Sequence, residues 1–160
     1  MTAKKRQIIS FERDARVAEF LINNWGDDFI VSDGKILCGK DLPGFMILED
    51  ENIIGLLTYH IENNECEIVS LDALLRYQGI GTTLVAEIIN KAVKADVSRL
   101  WLMTTNDNIN AMRFYQKRGF LFTAVHKNAI EKSRQLKQSI PELGSYGIPI
   151  RDEIELEYPL

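Results

Sequence analysis

The run Arg76-Tyr77-Gln78-Gly79-Ile80-Gly81-Thr82-Thr83-Leu84 limits the architecture of this chain more than any other stretch, because it joins an extended apolar segment to an amphipathic helix. Gly79 and Gly81 carry no Cβ, so the backbone there can turn tightly and approach an anion. N–H groups at the start of the helix point at that anion with the helix dipole behind them, and Arg76 can add a bidentate contact. Two other phosphate loops fail on composition. A Gly-x-Gly-x-x-Gly dinucleotide fingerprint needs glycine where Leu84 stands, and a Walker loop needs Gly-Lys-Ser/Thr, whereas Thr82 follows Gly81 directly. The plain alternative is a strand-to-helix turn shaped by two glycines.

A second constellation, Asn108-Ile109-Asn110-Ala111-Met112-Arg113-Phe114-Tyr115-Gln116-Lys117-Arg118-Gly119-Phe120, reads as a short helix. Asn108 suits the N-cap, Gly119 suits the C′ position after a basic last turn, and Phe120 begins the next extended run. Ala111 and Tyr115 are four residues apart and share a helix face, with Phe114 beside them. The small Ala111 lets a ligand pass close to the helix while Tyr115 presents a phenol.

Taken together, the two stretches resemble the motifs of the GCN5-related N-acetyltransferases (GNAT), Arg/Gln-x-x-Gly-x-Gly/Ala followed by Asn-x-x-Ala-x-x-x-Tyr-x-x-x-Gly-Phe, and match every named position. The resemblance is to small, single-domain, bacterial-type members. It implies an α/β fold: a mixed, mostly antiparallel central sheet of about six to seven strands flanked by helices, with a splayed strand pair forming a wedge for acyl-CoA. Acetyl-CoA is then the co-substrate. Arg76, Tyr77, Gln78, Gly79, Ile80, Gly81, Thr82 and Thr83 would cradle its pyrophosphate, main-chain groups near Val69 and Leu71 would meet the pantetheine amides, and Asn108, Ala111 and Tyr115 would line the arm.

The implied reaction is acetyl transfer to a primary amine by direct attack in a ternary complex. Tyr115 would act as general acid to the departing thiolate. A protonated amine needs a base, and Glu67, ahead of Glu65, is the first candidate on the strand before the loop. Alternation places Glu65, Glu67, Val69 and Leu71 on one side of that strand and Cys66, Ile68 and Ser70 on the other. Trp25, Glu65 and Arg134 are candidates for contacts to the acceptor. Glu153, Glu155 and Glu157 read as a solvated strand face. Cys66 as an acyl-carrying nucleophile lacks a paired base. A non-catalytic acyl-CoA sensor or protein-interaction domain on the same fold is the alternative from another class.

At 160 residues, 46% hydrophobic and 26% charged, the chain has enough material for one core, and residues 1–160 read as a single domain. Its apolar clusters are strand-sized and its basic N-terminus is not followed by an apolar run, so neither a membrane span nor a secretory signal is expected. Cys38 and Cys66 have no partners at metal spacing, so no metal is expected, and the location expected by default is cytoplasmic. The net charge of −4 disfavours nucleic acid and suits a small-molecule or peptide amine as partner. The resemblance is compatible with a homodimer.

Periodicity adds a strand over 7–11, a helix over 13–24, a loop over 25–34, a hairpin of 44–49 with 52–60, a helix over 81–94 and a buried strand over 99–103. A strand over 120–125, a charged helical stretch over 127–138 and an alternating strand over 154–158 complete the chain. The 25–34 loop and the 129–149 connection, with its Ser145-Tyr146-Gly147 tip, are the expected walls of an acceptor pocket.

Overall fold

A computed structural model describes residues 2–160. In chain order the elements are β1 (Arg6–Phe11), α1 (Ala15–Trp25), β2 (Phe29–Ser32), β3 (Lys35–Cys38), β4 (Gly44–Glu49), β5 (Asn52–Glu62), β6 (Glu65–Ala73), α2 (Ile80–Lys94), β7 (Arg99–Thr105), α3 (Ile109–Lys117), β8 (Leu121–His126), α4 (Ala129–Leu136) and β9 (Glu153–Tyr158). Seven strands form one sheet in the order β1-β4-β5-β6-β7-β9-β8, and β2 and β3 form a separate hairpin. Every neighbouring pair in the main sheet is antiparallel except β6 and β7.

The sheet buries a different core on each face. On one, the α2 stripe of Ile80, Leu84, Val85, Ile88 and Ala92 packs against Leu57, Ile68, Leu100 and Leu156. The spacing of those α2 residues is that of one helix face, as the sequence predicts. On the other, Val17, Phe20 and Leu21 of α1 cover Met46, Leu48 and Leu56. Asp14 caps α1 by accepting from the Arg16 N–H at 2.9 Å, and Gly26, at φ 86°, ends it in the left-handed conformation that favours glycine.

Two irregularities in β6 set up everything that follows. Thr58 pairs with Ser70 and Tyr59 with Ile68, which leaves Val69 as an extra residue. This bulge breaks the expected alternation. Cys66 and Ile68 face the α2 core and Leu71 packs with them, while Ser70 leaves that side to bond Thr58. Glu67, Ser70 and Asp72 therefore share the α1 face, and the placement of Leu71 beside Glu67 is corrected.

The second irregularity lies on the other edge. Parallel pairing of β6 with β7 ends at Ile68 and Leu102, although both strands run on, so from Val69 to Ala73 the β7-facing edge of β6 has no strand partner. A sheet edge with unpaired N–H and C=O groups is a ready binding edge. This is the splayed pair that the resemblance implies.

One expected loop is instead structured: residues within 25–34 begin the β2–β3 hairpin, whose register runs Phe29 with Cys38 to Ser32 with Lys35. Asp33 and Gly34 form its turn, both at positive φ. The Asp-Gly pair is itself a two-residue hairpin signal. Among the described residues no helix is long and apolar enough to cross a membrane.

Candidate active site

The splay between β6 and β7 opens into a cleft of about 950 Å³, floored by α3 and closed at one end by the loop from Arg76 to Gly79. Gly79 sits at φ 73° and caps α2 without a side chain. The first bond of the helix runs from the Thr83 N–H to the Gly79 carbonyl at 2.9 Å, and among the described residues the N–H groups of 79–82 make no backbone hydrogen bond. These free amides are what a helix start offers an anion. Gly81 matters for another reason: a Cβ there would lie 3.0 Å from the Phe114 ring, which would have to give by a few tenths of an ångström.

Charge in the cleft runs opposite to that of the chain. The wall holds four cations, Arg76, Arg113, Lys117 and Arg118, and no carboxylate, in a protein of net charge −4. Arg118 is fixed most firmly. Its Nε and Nη2 donate to Thr82 Oγ1 at 3.0 and 2.6 Å, its Nη1 donates to the Phe114 carbonyl at 2.8 Å, and its guanidinium lies 3.6 Å from the Phe114 ring centre. It ties α3 to the first turn of α2.

Tyr115 is 6% exposed and lines the cleft. Its ring meets Phe114 and Phe120 edge-on, each with centroids 5.2 Å apart. Burial pushes its phenol well above the ordinary range; the nearby Asp72 carboxylate adds to this and Arg118 partly opposes it. Held protonated in this way, the phenol is present at neutral pH in the form that a proton donor needs. Asn108 caps α3, its Oδ1 accepting from the Ala111 N–H at 3.2 Å. Asn108 and Ala111 both line the cleft.

Most of the residues singled out in the sequence meet here: Val69, Leu71, Arg76 through Thr82, Asn108, Ala111, Tyr115 and Trp25 are all on the cleft wall. Thr83 lies off the wall in the first turn of α2, its hydroxyl donating to the Gly79 carbonyl at 2.9 Å. Three candidates stand elsewhere. Glu67 is 7% exposed, bonded to Ser32 of the hairpin, and off the cleft wall. Its carboxyl is pushed up, first by burial. Glu65 lies at the far end of β6, 3.8 Å from Arg99. Arg134 donates from Nη2 to the carbonyls of Pro141 and Ile150, both at 2.8 Å, so it braces the C-terminal connection and does not reach the cleft.

The acidic strand β9 also departs from expectation. Glu153 is 5% exposed, with Ser133 Oγ 3.3 Å from its carboxylate. Glu155 meets Arg99 and His126, and Glu157 accepts from Arg99 Nε at 2.9 Å. Glu153 is buried because α4 and the hairpin turn cover it, while Glu155 and Glu157 are half-buried and paired with cations of the neighbouring strands. As for Cys66, burial pushes its thiol up to about 12, which removes the thiolate that a nucleophile needs.

The sequence reading passed over Asp72 but not the strap: Tyr146, in the tip expected to wall an acceptor pocket, donates to Asn110 Oδ1 at 2.8 Å and joins the cleft wall. The Ser145 N–H donates to Asp107 Oδ2 at 2.9 Å, pinning this strap to the start of α3. Asp72 lies behind the wall, its Oδ1 accepting from Trp25 Nε1 at 2.9 Å. Strand periodicity alone assigns Asp72 to the face opposite Glu67; only the Val69 bulge brings it round.

Known proteins share this chain's sequence family and fold. Residues 10–120 match the family described as Acetyltransferase (GNAT) family. A curated relative, the uncharacterized protein YdhI of Bacillus subtilis (strain 168), is 46% identical over 140 residues, covering 86% of this chain and 87% of its own. Two solved structures share the fold. A Bacillus subtilis acetyltransferase in complex with CoA has a TM-score of 0.70 at 19% identity, covering 98% of this chain and 99% of its own. A GNAT family acetyltransferase from Elizabethkingia anophelis with acetyl-CoA bound has a TM-score of 0.69 at 21% identity, covering 97% and 98%.

Proposed function

The chain belongs to the GNAT acetyltransferase family, and from that premise we propose that it moves an acetyl group from acetyl-CoA to a primary amine by direct attack in a ternary complex. The observation that carries this reading is the cation-lined, carboxylate-free cleft meeting an unpaired strand edge. A ligand that is polyanionic at one end and carries amides along an extended arm matches that surface. Two solved structures of this fold hold CoA or acetyl-CoA.

In this arrangement the pyrophosphate rests on the free amides of 79–82, with Arg76 and Arg118 beside it. The pantetheine arm extends β6 by pairing with main-chain groups near Val69 and Leu71, as a bound strand would. The thioester then lies in the splay, with Ala111 leaving room and Tyr115 within the same cleft. An amine attacks the thioester carbonyl, the C–S bond breaks, and Tyr115 gives its proton to the sulfur. No covalent enzyme intermediate is needed, consistent with the inert Cys66. The protein would work as a soluble cytoplasmic enzyme. Among the described residues no group of three His, Cys, Asp or Glu side chains is placed to hold a metal, and the proposed chemistry asks for none.

The test is free-thiol release from acetyl-CoA by the purified protein across a panel of amines, beside calorimetric binding of acetyl-CoA. Amine-dependent release supports the transferase. Binding without release on any amine turns the reading towards an acyl-CoA sensor, and absence of binding removes it.

A further inference from the structure

Asp72 combines features that the reading above leaves unused. It stands on the α1 face of β6, opposite Leu56 of β5. Trp25, the last residue of α1, covers it and donates to Oδ1 at 2.9 Å. The other carboxylate oxygen, Oδ2, is buried and among the described residues has no hydrogen-bond partner. A buried carboxylate oxygen normally has one, and leaving it bare costs free energy. Leu71 and Ala73 on either side of Asp72, and the covering Trp25, all line the cleft, so the carboxylate lies one side chain behind the thioester's expected position. Trp25 remains 47% exposed, a large apolar surface kept at the mouth of a cleft.

The groups around Asp72 are few. From α1 comes Trp25, from β5 Leu56, and from β6 itself Ser70, which is engaged with Thr58 at 2.6 Å, and Glu67, which is engaged with Ser32. From α3 comes Tyr115, close enough that the Asp72 charge raises its phenol. No cation is bonded or ion-paired to Asp72 among the described residues. The site holds half of an ion pair.

Resting on the acetyltransferase reading, we infer that Asp72 and Trp25 form the acceptor's ammonium subsite, in which the amine seats its cation against the indole face and Oδ2, and Asp72 takes the proton that blocks its lone pair. A tryptophan face attracts a desolvated cation. Burial pushes the Asp72 carboxyl up to about 6, opposed only by the Trp25 bond, so it is ionised at neutral pH and still basic enough to accept a proton. The balance closes as follows. The ammonium gives one proton to Asp72; the nitrogen lone pair forms the N–C bond as the C–S pair leaves with sulfur; the second proton that nitrogen loses offsets the one that Tyr115 gives to sulfur. Asp72 then releases its proton to water. The subsite also selects. A carboxylate next to the amine would be brought against the buried charge of Asp72, so the substrate class is primary amines without an adjacent carboxylate.

Thiol-release kinetics of the whole protein test this with two matched pairs, phenethylamine against phenylalanine and glycinamide against glycine. The wild type is expected to favour the carboxylate-free member of a pair by tenfold or more in kcat/KM. In Asp72→Asn kcat falls about 10²-fold or more, the acidic limb of the pH profile is lost, and acetyl-CoA affinity stays within twofold, which shows that the variant is folded. Asp72→Glu recovers part of the rate. Trp25→Phe raises the amine KM severalfold and keeps most of kcat. The inference is overturned if Asp72→Asn turns over within threefold of wild type with an unchanged profile, if Trp25→Phe loses kcat as deeply as Asp72→Asn, or if the amino acids are preferred. Acetyl-CoA binding with no turnover by the wild type on any amine defeats the transferase reading and this inference together, an outcome distinct from the loss of Asp72 alone.

Discussion

The two sides of β6 handle polar groups in opposite ways. Towards β7 and α3 the polar groups on offer are main-chain amides and cations: the free N–H groups of 79–82, the unpaired edge from Val69 to Ala73, and Arg76 and Arg118. Towards α1 and the β2–β3 hairpin they are buried carboxylates, Glu67 under Ser32 and Asp72 under Trp25. The first arrangement suits a large polyanion and needs little beyond correct backbone geometry. The second suits a small cation and depends on side chains brought together from distant parts of the chain.

Substitutions on each side should therefore fail differently. The largest effect is expected from Tyr115→Phe, which removes the proposed proton donor and little else: turnover should fall about 10²–10³-fold while acetyl-CoA affinity holds within about twofold. Steady-state kinetics beside calorimetry separates the two, and unchanged turnover removes the general-acid assignment.

Next comes a stability gain on the carboxylate side. The Asp72 carboxyl is raised from 3.8 to about 6 in the folded protein, so folding favours its protonated form. Its contribution is fully present below pH 3.8 and is lost as pH rises towards 6. Asp72→Asn should consequently be more stable than wild type at pH 7 to 8 by roughly 2–3 kcal/mol, with the difference vanishing below about pH 4. Urea denaturation at both pH values checks this, and a less stable variant at pH 8 would break the contrast between the two sides.

On the amide side, Gly81→Asp places a carbon 3.0 Å from Phe114 and a negative charge beside the proposed phosphate seat. Acetyl-CoA affinity should fall about tenfold or more by calorimetry, with no gain in stability. The smallest effect belongs to Ser32→Ala. It deprives the buried Glu67 of its hydroxyl partner and should cost about 1 kcal/mol of stability. Turnover should stay within twofold, since Glu67 lies off the cleft wall; a deep loss of rate would return Glu67 to the chemistry.

How legible each side was in the sequence follows from the same contrast. The amide side is written in local signals: two glycines before an amphipathic stripe, an asparagine cap three residues before Ala111, a glycine ending α3. Nearly every residue named there lies on the cleft wall. The carboxylate side is not local. Glu67 reaches Ser32 and Asp72 reaches Trp25 across 35 and 47 positions, and the parity of β6 changes at Val69, where no residue type marks a bulge. Periodicity therefore put Leu71 with Glu67 and left Asp72 unremarked. The same holds for Glu153, which looks solvated until α4 and the hairpin turn are folded over it, and for Arg134, which carbonyls of the C-terminal connection hold away from the cleft.

If the splay between β6 and β7 seats acetyl-CoA on main-chain amides, backbone amide chemical shifts followed during a CoA titration will register it. The largest shifts are expected at 69–73, at 78–83 and along α3 from Asn108 to Tyr115, with the β2–β3 hairpin and α4 little changed. Shifts concentrated on the hairpin and α4, or none at saturating CoA, would contradict it.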